Sequence, residues 1–215
     1  MLNSGIRLVF FLVLCSLATD SIAQERGIDL GARTTVLLGD GTPANDIPGY
    51  GLIGRYWLDN GWFITGTLDA YEYDFERPAA LVGIMQDPNV DVIDATGEST
   101  VLGAMIGKKF GETDSSFDWF WSAGVAVGFP DIGDVSGPTD SGGMFDMTFD
   151  VGTEYHLTTA LGGEYQFNPQ WYATLAARLE QHFIDILVTD RISGNTRVQD
   201  NQLTHGAYLS LSYQF

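Results

Sequence analysis

The sequence predicts an all-β fold, a single eight-stranded antiparallel up-and-down transmembrane β-barrel, and three observations carry that prediction. Apolar residues recur with period two, the spacing at which successive side chains leave a strand on opposite faces. Connections between the alternating segments are short and long in strict turn, which collects the long ones at one end. The face opposite the apolar one holds small residues and scattered charges, while aromatics mark the strand ends beside the short turns. That is the composition of a barrel whose outside meets lipid and whose interior is narrow and polar.

The chain has 215 residues and opens on a segment expected to be removed. Residues 1–7 carry one Arg, Leu8 to Ala18 form an 11-residue apolar run, and Ser21-Ile22-Ala23 places small residues where a signal peptidase reads. Cleavage is expected after Ala23, leaving one barrel domain over residues 24–215. The apolar run is too short to cross a bilayer as a helix, and no other stretch approaches the ~18 uninterrupted apolar residues a crossing needs. Cys15 follows Leu14, where a lipoprotein signal would want Gly or Ala, so it reads as part of the signal. The mature chain then has no cysteine, which excludes disulfides, Cys-based zinc sites and a thiol nucleophile.

The eight segments run over 27–38, 49–58, 61–73, 99–110, 117–129, 149–167, 171–184 and 203–215. The first carries Arg33 on its polar face. The second contains Gly49, Gly51 and Gly54 in the spacing GxGxxG. A dinucleotide site would need a helix to open there. Instead the chain continues through Arg55-Tyr56-Trp57-Leu58 into an Asn60-Gly61 turn, so these glycines read as small strand residues in a tightly curved barrel. The third brings Asp69 to the polar face, and the fourth ends on Phe110. In the fifth, Phe117, Trp119, Trp121, Ala123, Val125, Val127 and Phe129 share one face, against Asp118, Ser122, Gly124, Ala126 and Gly128. The sixth contributes Glu164 and ends at Phe167, where Asn168-Pro169-Gln170 makes a short turn into the seventh. There Trp171, Ala173, Leu175, Ala177, Leu179 and Phe183 oppose Tyr172, Thr174, Ala176, Arg178, Glu180 and His182. In the eighth, Leu203, Ala207, Leu209, Leu211, Tyr213 and Phe215 oppose Thr204, Gly206, Tyr208, Ser210, Ser212 and Gln214. Tyr56, Trp62, Phe110, Phe117, Phe167, Trp171, Tyr213 and Phe215 would all lie near one level, as an interfacial girdle.

Charge narrows the function classes. The formal net charge is −18, from 28 acids and 10 bases, and a nucleic-acid partner is excluded because phosphate binding wants the opposite sign. The long connections, near 39–48, 74–98, 130–148 and 185–202, hold 16 of the acids (Asp40, Asp46, Asp74, Glu76, Asp87, Asp91, Asp94, Glu98, Asp131, Asp134, Asp140, Asp146, Asp150, Asp185, Asp190 and Asp200) against Arg77, Arg191 and Arg197. They read as a solvated acidic surface; binding of Ca²⁺ or Mg²⁺, or repulsion of anions, is the sharper alternative. Within the second of them, the apolar piece Ala79 to Met85 is a candidate contact surface.

Two residue sets stand out. Arg33, Arg55, Asp69, Glu164, Arg178 and Glu180 face the lumen. An eight-stranded barrel is just wide enough for side chains to fill, so these charges pack as a plug or, alternatively, line a narrow path. If Phe167 faces Trp171 across the Asn-Pro-Gln turn, His156 is the direct cross-strand neighbour of His182, with Glu154 and Glu180 one step away on the same face. Those four residues read as an interior hydrogen-bond network, or as ligands of zinc or another divalent ion, or as a pH-sensitive plug. His205 takes the outward parity. No GxSxG, HExxH or His-x-Ser pattern supports hydrolysis, no cofactor is expected, and the chain reads as a non-enzyme.

The ending Leu209-Ser-Leu211-Ser-Tyr213-Gln-Phe215 resembles the C-terminal signal by which bacterial outer-membrane barrels are recognised for assembly. Gly162-Gly-Glu-Tyr-Gln-Phe167 followed by Asn168-Pro-Gln-Trp171 is similar to the penultimate periplasmic turn of small OmpA-type and OmpX-type barrels. The resemblance implies a porin-like β-barrel domain in a Gram-negative outer membrane, with both termini periplasmic and the acidic loops outside. It implies contact with outer-membrane lipids and lipopolysaccharide, with the barrel-assembly machinery and with periplasmic chaperones, and a monomer. Nothing follows Phe215, so the likeness does not extend to a peptidoglycan-binding domain. Fold is no guide to activity here, since adhesins, stability proteins, small channels and a few lipid-modifying enzymes share it. The reading is a structural, envelope-integrity or surface-interaction protein, with a narrow cation-preferring channel as alternative and a lipid-modifying enzyme or metal-binding barrel as remoter ones.

Overall fold

The computed structural model describes residues 27–39, 46–75, 95–111, 116–138, 144–192, 194 and 196–215. The expected signal segment and its cleavage point, Ala79 to Met85, and the acids Asp40, Glu76, Asp87, Asp91, Asp94 and Asp140 lie outside the described residues. Ten strands are described: β1 (Ile28–Gly39), β2 (Asp46–Trp57), β3 (Trp62–Phe75), β4 (Ala95–Phe110), β5 (Phe117–Ile132), β6 (Val135–Pro138), β7 (Met144–Val151), β8 (Glu154–Gln166), β9 (Trp171–Asp190) and β10 (Thr196–Gln214). Eight of them form the wall, in the order β1-β2-β3-β4-β5-β8-β9-β10, and β10 pairs back onto β1 from Asp29↔Gln214 to Gly39↔Thr204. Every pairing is antiparallel, so the wall is a closed cylinder with no open edge, the condition a sheet must meet to sit in hydrocarbon.

The short turns are built by the residues that announce them. Asn60 and Gly61 take φ of 61° and 76°, the left-handed region that an Asn-Gly pair enters most easily. At the β8–β9 turn the Asn168 side-chain oxygen accepts hydrogen bonds from the backbone of Gln170 and Trp171 at 2.9 and 3.0 Å. The Phe167 N–H donates to the Trp171 carbonyl at 2.9 Å, which fixes the register above it.

Polarity is inverted relative to a soluble barrel. Arg33, Arg55, Asp69, Glu164, Arg178 and Glu180 are buried, while Val36, Ile64, Leu102, Val125, Leu161, Leu175, Leu209 and Leu211 are exposed on the outside. A water-soluble sheet would lose the hydrophobic contribution of every one of those aliphatics, so lipid is the solvent this face fits.

Three expected boundaries are corrected. The segment expected as one strand over 149–167 is divided: β7 ends at Val151, Gly152 and Thr153 lie between strands, and β8 starts at Glu154. The connections expected as loops near 130–148 and 185–202 are largely strand. β6 and β7 form a hairpin, and β7 pairs with β9 from Met147↔Asp190 to Val151↔Ile186, above the point where β8 stops. Alternation continues there, with Ile186, Val188 and Asp190 buried and Leu187 exposed, so a second partner for β9 is stabilised just as the first one ends. Asp46, Asp74, Glu98, Asp131, Asp146, Asp150, Asp185, Asp190 and Asp200 accordingly lie in strands rather than loops.

Candidate functional site

Among the described residues, the lumen is where charged groups are buried together, and it is built from the short-turn end upward. At that end Asp29 accepts hydrogen bonds from the Trp57 indole N–H at 2.5 Å and the Tyr172 hydroxyl at 2.7 Å. Above it Arg55 on β2 reaches across the barrel to an ion pair with Glu164 on β8. Its guanidinium is caged by rings: Phe63 at 4.3 Å, Trp57 at 5.1 Å, and Phe120 and Tyr172 each at 5.7 Å. Ion pair and cation–π contact together let a fully buried cation avoid the cost of isolation.

The next layer depends on a missing side chain. Arg33, Gly51 and Asp69 lie directly opposite one another on β1, β2 and β3. Arg33 donates through two nitrogens to the two carboxylate oxygens of Asp69, a fork-on-fork pair that passes over Gly51. A Cβ at position 51 would collide with Asp69 Oδ1, so only glycine leaves room for the pair. Arg178 then ties three elements: it pairs with Glu180 on its own strand and donates to Thr158 Oγ1 at 3.2 Å and to the Tyr71 hydroxyl at 2.8 Å. Apolar layers alternate with the charges, one of Phe63, Phe120, Ala160, Ala176 and Tyr208, another of Leu37, Ile47, Tyr71, Val101 and Ala126.

The polar layer at the top of the β8–β9 pairing is made by two copies of one short pattern. Glu154-Tyr155-His156 on β8 and Glu180-Gln181-His182 on β9 run antiparallel, and His156 pairs with His182 in register. The rings are 4.4 Å apart between centroids, and Glu154, His156, Glu180 and His182 are all buried. Glu154 Oε1 lies 2.5 Å from His182 Nδ1, and Glu154 Oε2 lies 3.3 Å from His156 Nε2. On the far side of each ring, His182 Nε2 is 2.8 Å from the Thr204 hydroxyl and His156 Nδ1 is 3.9 Å from Glu180 Oε1. Neither nitrogen of His156 makes an aligned hydrogen bond among the described residues. The line Thr204–His182–Glu154 has the connectivity of a nucleophile, a base and an orienting carboxylate. Thr204 has no exposed surface, however, so it orients the imidazole and offers no attacking oxygen to a substrate.

No protein-family model and no curated protein matches this sequence. Among solved structures, the outer membrane protein OprG from Pseudomonas aeruginosa aligns with a TM-score of 0.63 at 13% identity, over 88% of this chain and 95% of that one. A major outer membrane protein from Thermus thermophilus aligns with a TM-score of 0.58 at 12% identity, over 89% of this chain and 100% of that one. The fold is that of a small outer-membrane β-barrel. At such identities the likeness extends to the fold.

In this outer-membrane barrel fold all six sequence-predicted charges point into the lumen, where they form the ion pairs Arg33–Asp69, Arg55–Glu164 and Arg178–Glu180. His156, His182, Glu154 and Glu180 come together, while His205 is exposed outside, opposite Leu38 and Leu179. Of the girdle residues, Phe110, Phe117, Phe167, Trp171 and Phe215 are exposed on the outer face, with Trp171, Tyr213 and Phe215 packed edge to face at 5.1 and 4.9 Å. Leu209 and Leu211 face outward as well. Sequence reasoning placed Tyr172, Thr204 and Tyr208 on the inward face without giving them a role, and missed Asp29, Phe63, Tyr71 and Phe120 there. The signal was present: Phe120 shares the parity of Ser122 and Ala126, and Tyr208 that of Ser210.

Proposed function

We propose that the chain is an integral protein of a bacterial outer membrane whose lumen is closed by its own side chains, and that it serves a non-enzymatic, structural or surface-interaction role. The observation that carries this reading is the Arg55 layer, where the guanidinium reaches across the barrel to Glu164 with four aromatic rings packed around it. Location is supported by the inverted polarity and by the outer-membrane neighbours of the fold. Lipid and lipopolysaccharide surround the wall in this reading, and Leu209, Leu211, Tyr213 and Phe215 serve as its assembly signal. A narrow, cation-preferring path is the second reading. It is favoured by the cavity of about 300 Å³ at the short-turn end, which Lys109, Asp118 and Glu164 line.

Single-channel recording of residues 24–215 refolded into a planar bilayer separates the two, with a heat-modifiable gel shift to show that the barrel has formed. A closed lumen gives no steady conductance. Stable openings whose ion selectivity changes with Arg178→Gln would replace the plug by the path.

A further inference from the structure

We propose that Glu154, His156 and His182 form a binding site for one divalent transition-metal ion, zinc being the type, inside the outer end of the barrel. One ligand atom from each of the three lies within 4.8 Å of the others, and all three residues are buried. Tetrahedral zinc with bonds of about 2.0–2.1 Å holds its ligand atoms a little over 3 Å apart; the 3.3 Å from Glu154 Oε2 to His156 Nε2 already has that spacing, and the 2.5 Å from Glu154 Oε1 to His182 Nδ1 must widen to reach it.

The surroundings fit a metal site better than a plain hydrogen-bond network. Each imidazole turns one nitrogen toward Glu154; the other nitrogen of His182 meets Thr204 Oγ1 at 2.8 Å, while that of His156 faces Glu180 Oε1 at 3.9 Å. For His182 that is the outer-shell arrangement that fixes the tautomer of a metal-bound histidine. His156 is 2% exposed, yet among the described residues neither ring nitrogen makes an aligned hydrogen bond, a cost that a bond to a metal removes. Among the described residues Glu180 Oε2 likewise has no aligned hydrogen-bond partner; it lies 3.7 Å from His182 Nε2, on the side of the ring away from Glu154, where its charge helps neutralise the site without ligating the ion. Gly128 keeps the space open: a Cβ there would stand 2.9 Å from Glu154 Oε2 and 3.1 Å from His156 Nε2. Two imidazoles with one carboxylate select zinc, nickel or copper over calcium or magnesium, so this site is chemically distinct from the acidic exterior.

The test is isothermal titration of Zn²⁺ into the folded, chelator-treated full chain in detergent. One equivalent should bind, His156→Gln/His182→Gln should abolish it, Thr204→Val should weaken it by about 10–100-fold, and His205→Gln should leave it unchanged. Equal binding by the wild-type chain and the double variant, or no binding by the wild-type chain, overturns the proposal. Should the double variant not fold, Co²⁺ added to the wild-type chain decides: the visible absorption of a tetrahedral nitrogen-ligated site supports the assignment, and the spectrum of hydrated Co²⁺ ends it. The result is independent of whether the lumen conducts.

Discussion

Arg55 shows what a single buried residue does in this barrel. Its partner Glu164 is 109 positions away in sequence and on the opposite wall, so the pair forms only when the cylinder has closed. Replacing Arg55 with methionine leaves the Glu164 carboxylate buried, with Lys109 3.7 Å away as its remaining close cation. Breaking one side of such a pair costs about 3–5 kcal/mol, whereas replacing both by apolar groups is often close to neutral. Arg55→Met should therefore lower the urea midpoint of the refolded barrel strongly, and Arg55→Met/Glu164→Leu should recover much of the loss. A single variant within about 1 kcal/mol of wild type, the range of solvated ion pairs, would mean that water reaches the pair. That outcome would favour the conducting reading over the plug.

At the level of elements, strand parity and the neighbour order of the eight wall strands were legible, and the second partner of β9 was not. Over 117–129, 171–183 and 203–212 the inward and outward faces follow the alternation of the residues, because lipid on one side and a narrow lumen on the other penalise a slip there. The His156–His182 pair was legible too, since the short Asn168-Pro169-Gln170 turn leaves no freedom in the register above it. The β6–β7 hairpin was hidden for the opposite reason. Val135-Ser-Gly-Pro138 is a poor strand by composition, and Phe149 to Val151 continue the alternation of β8 across Gly152 with nothing in the pattern to mark the change of partner. Arg55 and Glu164 were both read as inward, but no local rule pairs residues across a lumen. Because β9 exchanges β8 for β7 above Phe183, the amides of residues 147–151 and 186–190 are predicted to exchange slowly with deuterium. Peptide-resolved exchange as fast as that of an unstructured loop would remove the extension from the fold.

Over the whole molecule the argument turns on which solvent the outer face meets, and one substitution separates the possibilities. Leu175 is 62% exposed and lies four residues above the girdle residue Trp171, within the part of β9 that pairs with β8 as far as Phe183. Its outward face should therefore stand well inside the hydrocarbon. Arginine at such a depth destabilises a barrel by about 2–4 kcal/mol, falling toward zero near the interfaces. On a water-facing surface the same change stays within about 0.5 kcal/mol. Leu175→Arg should lower the urea midpoint in phospholipid vesicles by the larger amount. Arginine in place of Phe167, beside the short turn and 58% exposed, should cost much less, because its side chain reaches the headgroups. Equal, small effects at both positions would mean that water bathes the outside, and the exposed aliphatic wall would then need another protein to cover it. A steep difference between the two fixes the bilayer around the barrel and sets the His156–His182 layer near the rim away from the Asn168-Pro169-Gln170 turn, where an ion from that side has the shortest path to the site.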